Sequence, residues 1–221
     1  MNIEGHILTD FSTALESVKG QTSQMFEQAI GNLSNSIEAL AKQDDTLCDQ
    51  VIREDDSMDL LLSRIDKECV HIMTRYRPFA GDLRFVISSM KIAQSLERIS
   101  DHAENIARRV KKITTLNVGE EIDSVSKLSQ EIFKLLKHAR ISYLEGDLER
   151  ALKVLDKSHK YHQIQKKLSK KLMQLIDEGT GDYKVYLNLI FIYRCLEGVG
   201  DYTTHIAEAV VFMESSQDVR K

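Results

Sequence analysis

Apolar residues recur along this chain at intervals of three and four, the spacing that puts them on one face of a helix. From Phe11 to Lys42 the face is made by Leu15, Val18, Phe26, Ile30, Leu33, Ile37 and Leu40. Gln43-Asp44-Asp45 interrupts the pattern and offers an N-cap for a second helix, which Leu47, Val51, Met58, Leu61, Leu62, Ile65 and Ile72 carry to about Tyr76. Pro78 and Gly81 mark the next turn. A third helix is predicted from about Gly81 to Thr114, with Ile92, Leu96, Ile99, Ala103, Ile106 and Val110 stepping by four and three as a seam for neighbouring helices. The polar stretch Thr114–Asp123 reads as a junction. A fourth helix runs from about Ser124 to Glu145, a fifth from the Gly146-Asp147 turn to about Asp177, and a sixth from the Glu178–Gly181 turn to about Ser215. Short turns imply antiparallel neighbours. No segment of useful length alternates with the period of a strand, so the predicted class is all-α, six long helices in two sets of three.

The two sets are related. Residues 81–110 align with 181–210 at an offset of 100, with identities at Gly81/Gly181, Asp82/Asp182, Ile92/Ile192, Leu96/Leu196, Glu97/Glu197, Asp101/Asp201, Ile106/Ile206, Ala107/Ala207 and Val110/Val210. Heptad-like spacing alone would give the aliphatic matches but would not keep Gly-Asp and both carboxylates in step. The fold is therefore expected to be two copies of one unit, residues 1–115 and 116–221, sharing one core.

Composition narrows the class. One proline, ten glycines and no tryptophan among 221 residues fit long helices. A net charge of −4 argues against a nucleic-acid binder. The basic run Lys166, Lys167, Lys170 and Lys171 is interleaved with Ile164, Leu168 and Leu172 and reads as a solvated helix face. The N-terminal twenty residues carry Glu4, Asp10 and Glu16 and no apolar core, so no signal peptide is expected. No run approaches the ~20 apolar residues of a membrane span. Cys48, Cys69 and Cys195 are widely spaced and suggest neither a disulfide framework nor a thiolate zinc site. These features make the cytoplasm the expected compartment, without membrane insertion.

The chemistry lies in the repeated carboxylates. Residues four apart share a helix face, so Glu97 and Asp101 are neighbours, and Glu104, Asn105 and Arg108 continue the stripe. Like charges at this spacing need a compensator, which could be a lysine or arginine, water or a metal ion. The second helix repeats the spacing at Asp55 and Asp59. If helices two and three pack antiparallel, four carboxylates converge, and an oxygen-rich set suits hard cations such as iron, manganese or magnesium. In the second half, Glu197 and Asp201 keep the pair, but Asp55 and Asp59 are matched by Ser158 and His162. His162 and His205 would then add nitrogen to a weaker site. Most such pairs on acidic helices are plain solvated surface; the recurrence raises this one above them, and the partner helix's pair raises it again in the first half. Glu68-Cys69-Val70-His71 has the Glu-x-x-His form of di-iron bundles, and a metal-dependent helical-bundle enzyme is the alternative reading, but no second copy of that motif exists. Gly198 and Gly200 fall mid-helix, at a cost of about 1 kcal/mol each against alanine, which points to close approach of another helix or a ligand.

Arg77-Pro78-Phe79-Ala80-Gly81-Asp82-Leu83-Arg84, followed by Glu97-Arg98-Ile99-Ser100-Asp101-His102-Ala103-Glu104-Asn105-Ile106-Ala107, resembles the PhoU family, and Glu197 to Glu208 resembles that family's second copy. The resemblance implies two tandem three-helix bundles in one flat body. It further implies a cytoplasmic, non-enzymatic negative regulator of phosphate uptake and of the phosphate regulon. Such proteins couple the ATP-binding subunit of the phosphate ABC transporter to a membrane sensor histidine kinase, and homodimers are common among them. Some members bind iron, zinc, manganese or magnesium at their acidic motifs. Carried onto this chain, the first site would be Asp55, Asp59, Glu97 and Asp101 with Asn105 nearby, and the second Glu197 and Asp201 with His162 and His205. The second copy departs by having Gly198, Tyr202 and His205 where the first has Arg98, His102 and Asn105, which bears on whether a second metal cluster exists.

Overall fold

A computed structural model describes residues 3–113, 119–217 and 219. Within them the chain forms α1 (Ile3–Lys42), α2 (Asp45–Tyr76), α3 (Gly81–Val110), α4 (Gly119–Glu145), α5 (Leu148–Asp177) and α6 (Tyr183–Ser215), and no strand. The six helices are those the periodicity predicts, with shifted ends. α1 starts well before Phe11. α3 stops at Val110, where the Lys111 amide donates to the Ala107 carbonyl and the Lys112 amide to the Arg109 carbonyl, short of the predicted Thr114. α4 starts at Gly119 rather than Ser124, so the tail of the predicted polar junction is helical, and residues 114–118 of that junction lie outside the described residues.

The turns show how the repeat was copied. Gln43 and Gly146 both take left-handed backbone (φ 53 and 68), and each is followed by an aspartate that caps the next helix. Asp44 accepts from the Thr46 and Leu47 amides at 2.9 and 3.1 Å, and Asp147 from the Arg150 amide at 2.8 Å. Such caps satisfy amides that have no partner within the helix. The two Gly-Asp matches do different jobs. Asp182 is the N-cap of α6, accepting from the Lys184 amide at 2.9 Å. Asp82 instead sits inside the first turn of α3, whose cap position is Ala80 at φ 51 with no side-chain acceptor.

α1, α2 and α3 form one bundle and α4, α5 and α6 the other, joined along α3–α6 and α1–α4. One continuous core runs through both, including Phe26, Leu33, Met58, Ile65, Ile92, Leu96, Ile132, Leu136, Ile192, Leu196 and Ile206. The register of α3 on α6 is fixed by Arg84 donating to the Met213 carbonyl (3.1 Å), Ser88 donating to the Ala209 carbonyl (3.0 Å), and the Arg109 guanidinium over the Phe191 ring (4.1 Å). These pairs run in opposite directions, so the helices are antiparallel. At an offset of 100, the positions that meet midway are equivalent ones, 100 and 200. α1 and α4 are antiparallel as well, held by Arg140 on Glu27 and by Phe26 against Tyr143. The two bundles are thus related by an approximate twofold axis through the α3–α6 crossing.

The mid-helix glycines lie at this crossing. A Cβ on Gly198 would collide with the His102 ring from α3, and one on Gly200 with the Tyr161 ring from α5. Gly31 in α1 has open space where its Cβ would be. Gly200→Ala is expected to lower unfolding stability by about 1 to 3 kcal/mol through overpacking, although alanine is the better helix former. Gly31→Ala should raise it by about 0.5 to 1 kcal/mol. Urea unfolding of both variants checks the pair, and a stabilised Gly200→Ala would refute close packing at the crossing.

Candidate functional site: two acidic pairs at the helix crossing

α2 runs antiparallel to α3, with Lys111 paired to Asp49 at one end. This direction brings Asp55 opposite Ser100, Asp101 and Glu104, and Asp59 opposite Glu97. The half-buried Asp55 carboxyl is pushed up to about 6, first by loss of solvent and then by the charges of Glu104, Asp101 and Asp59, against a hydrogen bond from Ser100. Glu97 is also raised, first by burial and then by Asp101, with Asp59 and Asp55 adding to it and Arg98 opposing. The four predicted carboxylates therefore converge. Glu104, one helical repeat beyond Glu97, joins them. Two arginines answer part of the charge: Arg98 lies 3.4 Å from Glu97 and 2.9 Å from Asp101, and Arg108 lies 2.5 Å from Glu104. Asp55 and Asp59 face this group from α2, so negative charge is in excess. Behind the site, Asn32 donates to Ser100 Oγ at 3.1 Å, which links the carboxylates to the buried face of α1.

An all-oxygen set with excess negative charge is the chemistry of a hard-cation site. The ion's cage is not preformed, because among the described residues no group of three or more His, Cys, Asp or Glu is arranged to hold a metal ion. A cation here would draw the side chains together. Asn105 is exposed and donates to the Asp101 carbonyl of its own helix at 2.8 Å, which places it at the rim.

The second pair is built differently. His162 of α5 lies between the two carboxylates, with Nδ1 3.0 Å from Glu197 and Nε2 3.1 Å from Asp201. Tyr161 donates its hydroxyl to Asp201 at 2.9 Å and lies 4.4 Å from the His162 ring, and burial raises its hydroxyl far above the ordinary tyrosine value. The Tyr161 hydroxyl is also 3.4 Å from Thr204. His205 is not part of this group. It is exposed, stands edge-on to Tyr202 at 5.6 Å, and borders a groove of about 760 Å³ between α3 and α6 that also contains Glu97 and Arg98. His102 packs against Gly198 and Tyr202, and burial lowers its basicity.

The residues that the sequence departs in are therefore partners across the axis. Arg98 shares the groove with Tyr202, and His102 fills the space beside Gly198. Ser100 and Tyr161 escaped the sequence reading as members of the sites, and Glu104 was placed on the carboxylate stripe without being named as a ligand. Glu104 was legible as the residue seven beyond Glu97. Tyr161 was legible as the aromatic occupant of the position held by Met58 in the first copy, opposite a glycine. The Glu68-x-x-His71 motif gathers nothing: His71 is exposed and meets the Tyr76 ring edge-on at 6.2 Å, while burial pushes the Cys69 thiol up to about 12.

Fold and site together define a tandem six-helix repeat protein with a carboxylate pair on each of the two helices that cross at its centre. The model of the PhoU domain matches the chain twice, over residues 22–110 and 125–210, and the chain belongs to the PhoU family. A Pseudomonas aeruginosa relative, a phosphate-specific transport system accessory protein PhoU homolog, is 30% identical, with 97% of this chain and 89% of the relative aligned. The Escherichia coli accessory protein PhoU is 27% identical over 100% of this chain and 91% of its own. The crystal structure of PhoU from Pseudomonas aeruginosa superposes with a TM-score of 0.89 at 28% identity, covering 94% of this chain and 100% of that one. The phosphate transport system regulatory protein PhoU from Streptococcus pneumoniae shares the fold with a TM-score of 0.89 at 23% identity, over 96% of this chain and 100% of its own.

The raised Asp55 carboxyl has a signed consequence. Its folded value of about 6 lies above its ordinary 3.8, so its charge opposes folding above pH 6 and the penalty fades as pH falls toward 3.8. In metal-free protein, Asp55→Asn should be more stable than the parent at pH 7.5, by about 1 kcal/mol after allowing for solvent screening. The advantage should vanish at pH 3.5. Urea unfolding with chelator at the two pH values measures it.

Proposed function

We propose that this chain is an accessory regulator of a phosphate transport system. It acts by binding rather than by catalysis, and holds a hard divalent cation at Asp55, Asp59, Glu97 and Asp101. The observation that carries the metal reading is the meeting of the α2 carboxylates with Glu97, Asp101 and Glu104 of α3, whose charge Arg98 and Arg108 only partly neutralise. A cation there would supply charge neutralisation and tie α2 to α3. Glu97 and Asp101 would then serve as ligands on the helix that packs against the second bundle, Asp55 and Asp59 as ligands from α2, and Ser100 as the donor that orients Asp55. Relatives described as phosphate-specific transport system accessory proteins support the transport role.

In the same reading the protein works in the cytoplasm. It represses phosphate uptake genes by linking the ATP-binding subunit of the phosphate ABC transporter to a sensor histidine kinase, and it does so as a homodimer. Among the described residues no helix is long and apolar enough to cross a membrane, which suits a partner recruited to membrane proteins rather than one embedded beside them. The helical-bundle oxidase is not favoured, because its Glu-x-x-His histidine is exposed and has no second copy.

Deleting the gene should leave a phosphate-starvation reporter switched on in phosphate-rich medium, and full repression in the deletion strain would overturn the regulatory role. Purified protein loaded with Mn²⁺ and desalted should retain the ion, and Glu97→Ala with Asp101→Ala should lose at least nine-tenths of it by elemental analysis. Equal, trace metal in both proteins would sink the metal site.

A further inference from the structure

The residues around the second acidic pair do not fit a metal ion. We propose that His162 takes the place of the cation between Glu197 and Asp201, so that this chain binds metal in its first half only. The proposal rests on the reading of the first half given above, and it concerns how the duplicated site has diverged.

The geometry is that of an occupied space. Both ring nitrogens of His162 are engaged, one with each carboxylate, at 3.0 and 3.1 Å. The oxygen of Asp201 that faces His162 also accepts the Tyr161 hydroxyl at 2.9 Å. A hard cation needs about six oxygen ligands. Here it would find one oxygen of each carboxylate already engaged, and rings where the first half has oxygens. The position matching Asp59 is His162, the one matching Asp55 is Ser158, and Ser158 spends its hydroxyl on the Leu155 carbonyl of its own helix at 2.8 Å.

The plug is held from behind. Tyr161 packs on His162 with ring centroids 4.4 Å apart, and its other side lies on the backbone of Gly200, where any Cβ would collide. The first half has Met58 and Ser100 at the matching positions, both buried, and there the hydroxyl reaches Asp55 instead. Glycine at 200, tyrosine at 161 and histidine at 162 therefore act together. The glycine admits the ring, the ring positions the imidazole, and the imidazole occupies the space between the two carboxylates. This accounts for a carboxylate pair kept in both copies while its companions on the preceding helix are not.

The test uses full-length protein and Mn²⁺ alone, read as bound metal per chain after loading and desalting, with binding stoichiometry by calorimetry. Glu197→Ala with Asp201→Ala should leave the metal content of the parent unchanged. Ser158→Asp with His162→Asp restores the first half's residues to the second and should about double the content. His162→Ala, a smaller change that opens the same space, should show an added weaker binding event even if the double aspartate variant does not fold. A loss of metal in Glu197→Ala/Asp201→Ala, or no gain in either His162 variant when folded, would overturn the proposal. Parent protein that takes up no Mn²⁺ sinks the first-half site instead. A gain in the His162 variants would still uphold the plug.

Discussion

The antiparallel crossing of α3 and α6 is the constraint on which the rest depends. Each helix carries one copy of the same carboxylate pair, and the register puts positions 100 and 200 opposite one another. Every side chain within a turn of that point must therefore be compatible with its own repeat and with the other. Two identical surfaces with bulky residues at the crossing would collide with themselves. The crossing is instead made of complements: His102 against Gly198, Arg98 beside Tyr202, and an aromatic Tyr161 over Gly200 where Met58 lies near Ser100. Close-packed interiors tolerate little extra volume, so once His102 filled one side, the other had to be small.

This explains why the two copies differ most where they are nearest. Far from the axis the repeats keep matched devices, such as the left-handed residue and aspartate cap before α2 and before α5. Near it, chemistry follows packing. Ser100 leaves a hydroxyl that both accepts from buried Asn32 and reaches Asp55, so the first site has a polar floor. Gly200 leaves room for a ring, and the matching position in α4 is apolar Leu135, so the second site has an aromatic floor. The difference between an open acidic cluster and a plugged one starts from which residue occupies the middle of α3 or α6.

Much of this was legible in the sequence, for physical reasons that vary by feature. The helices followed from periodicity, because burying one face is what makes each helix stable. The convergence of Asp55, Asp59, Glu97 and Asp101 followed from i, i+4 spacing and a short turn. The close approach at Gly198 and Gly200 was legible from the cost of a mid-helix glycine, although Gly31 bears the same cost in open space. Most helix ends were legible too, Lys42, Tyr76, Gly81, Glu145, Asp177 and Ser215 among them; the start of α1, the end of α3 and the start of α4 were not, because Ile3, Val110 and Gly119 carry no signal that outweighs local geometry. Nor was the destination of His205. It sits four residues after Asp201 and so looks like a ligand, yet it stands edge-on to Tyr202 beside the groove that belongs to Glu97 and Arg98. Spacing along one helix says which residues share a face, not which neighbouring helix covers it.

A cluster of carboxylates that raises its own members' proton affinity opposes folding, and a protein selected only for stability would lose it. Replacing Asp55 by a neutral residue would be a short mutational step. Five carboxylates nevertheless meet beside helix α3, on which both bundles pack, and Arg98 and Arg108 offset only part of their charge. The second copy arranges the same pair differently: an imidazole stands between Glu197 and Asp201, and a tyrosine hydroxyl donates to Asp201. One carboxylate pair thus has two environments, facing further carboxylates in the first half and aromatic side chains in the second, because the residues of α2 and α5 that pack against it differ.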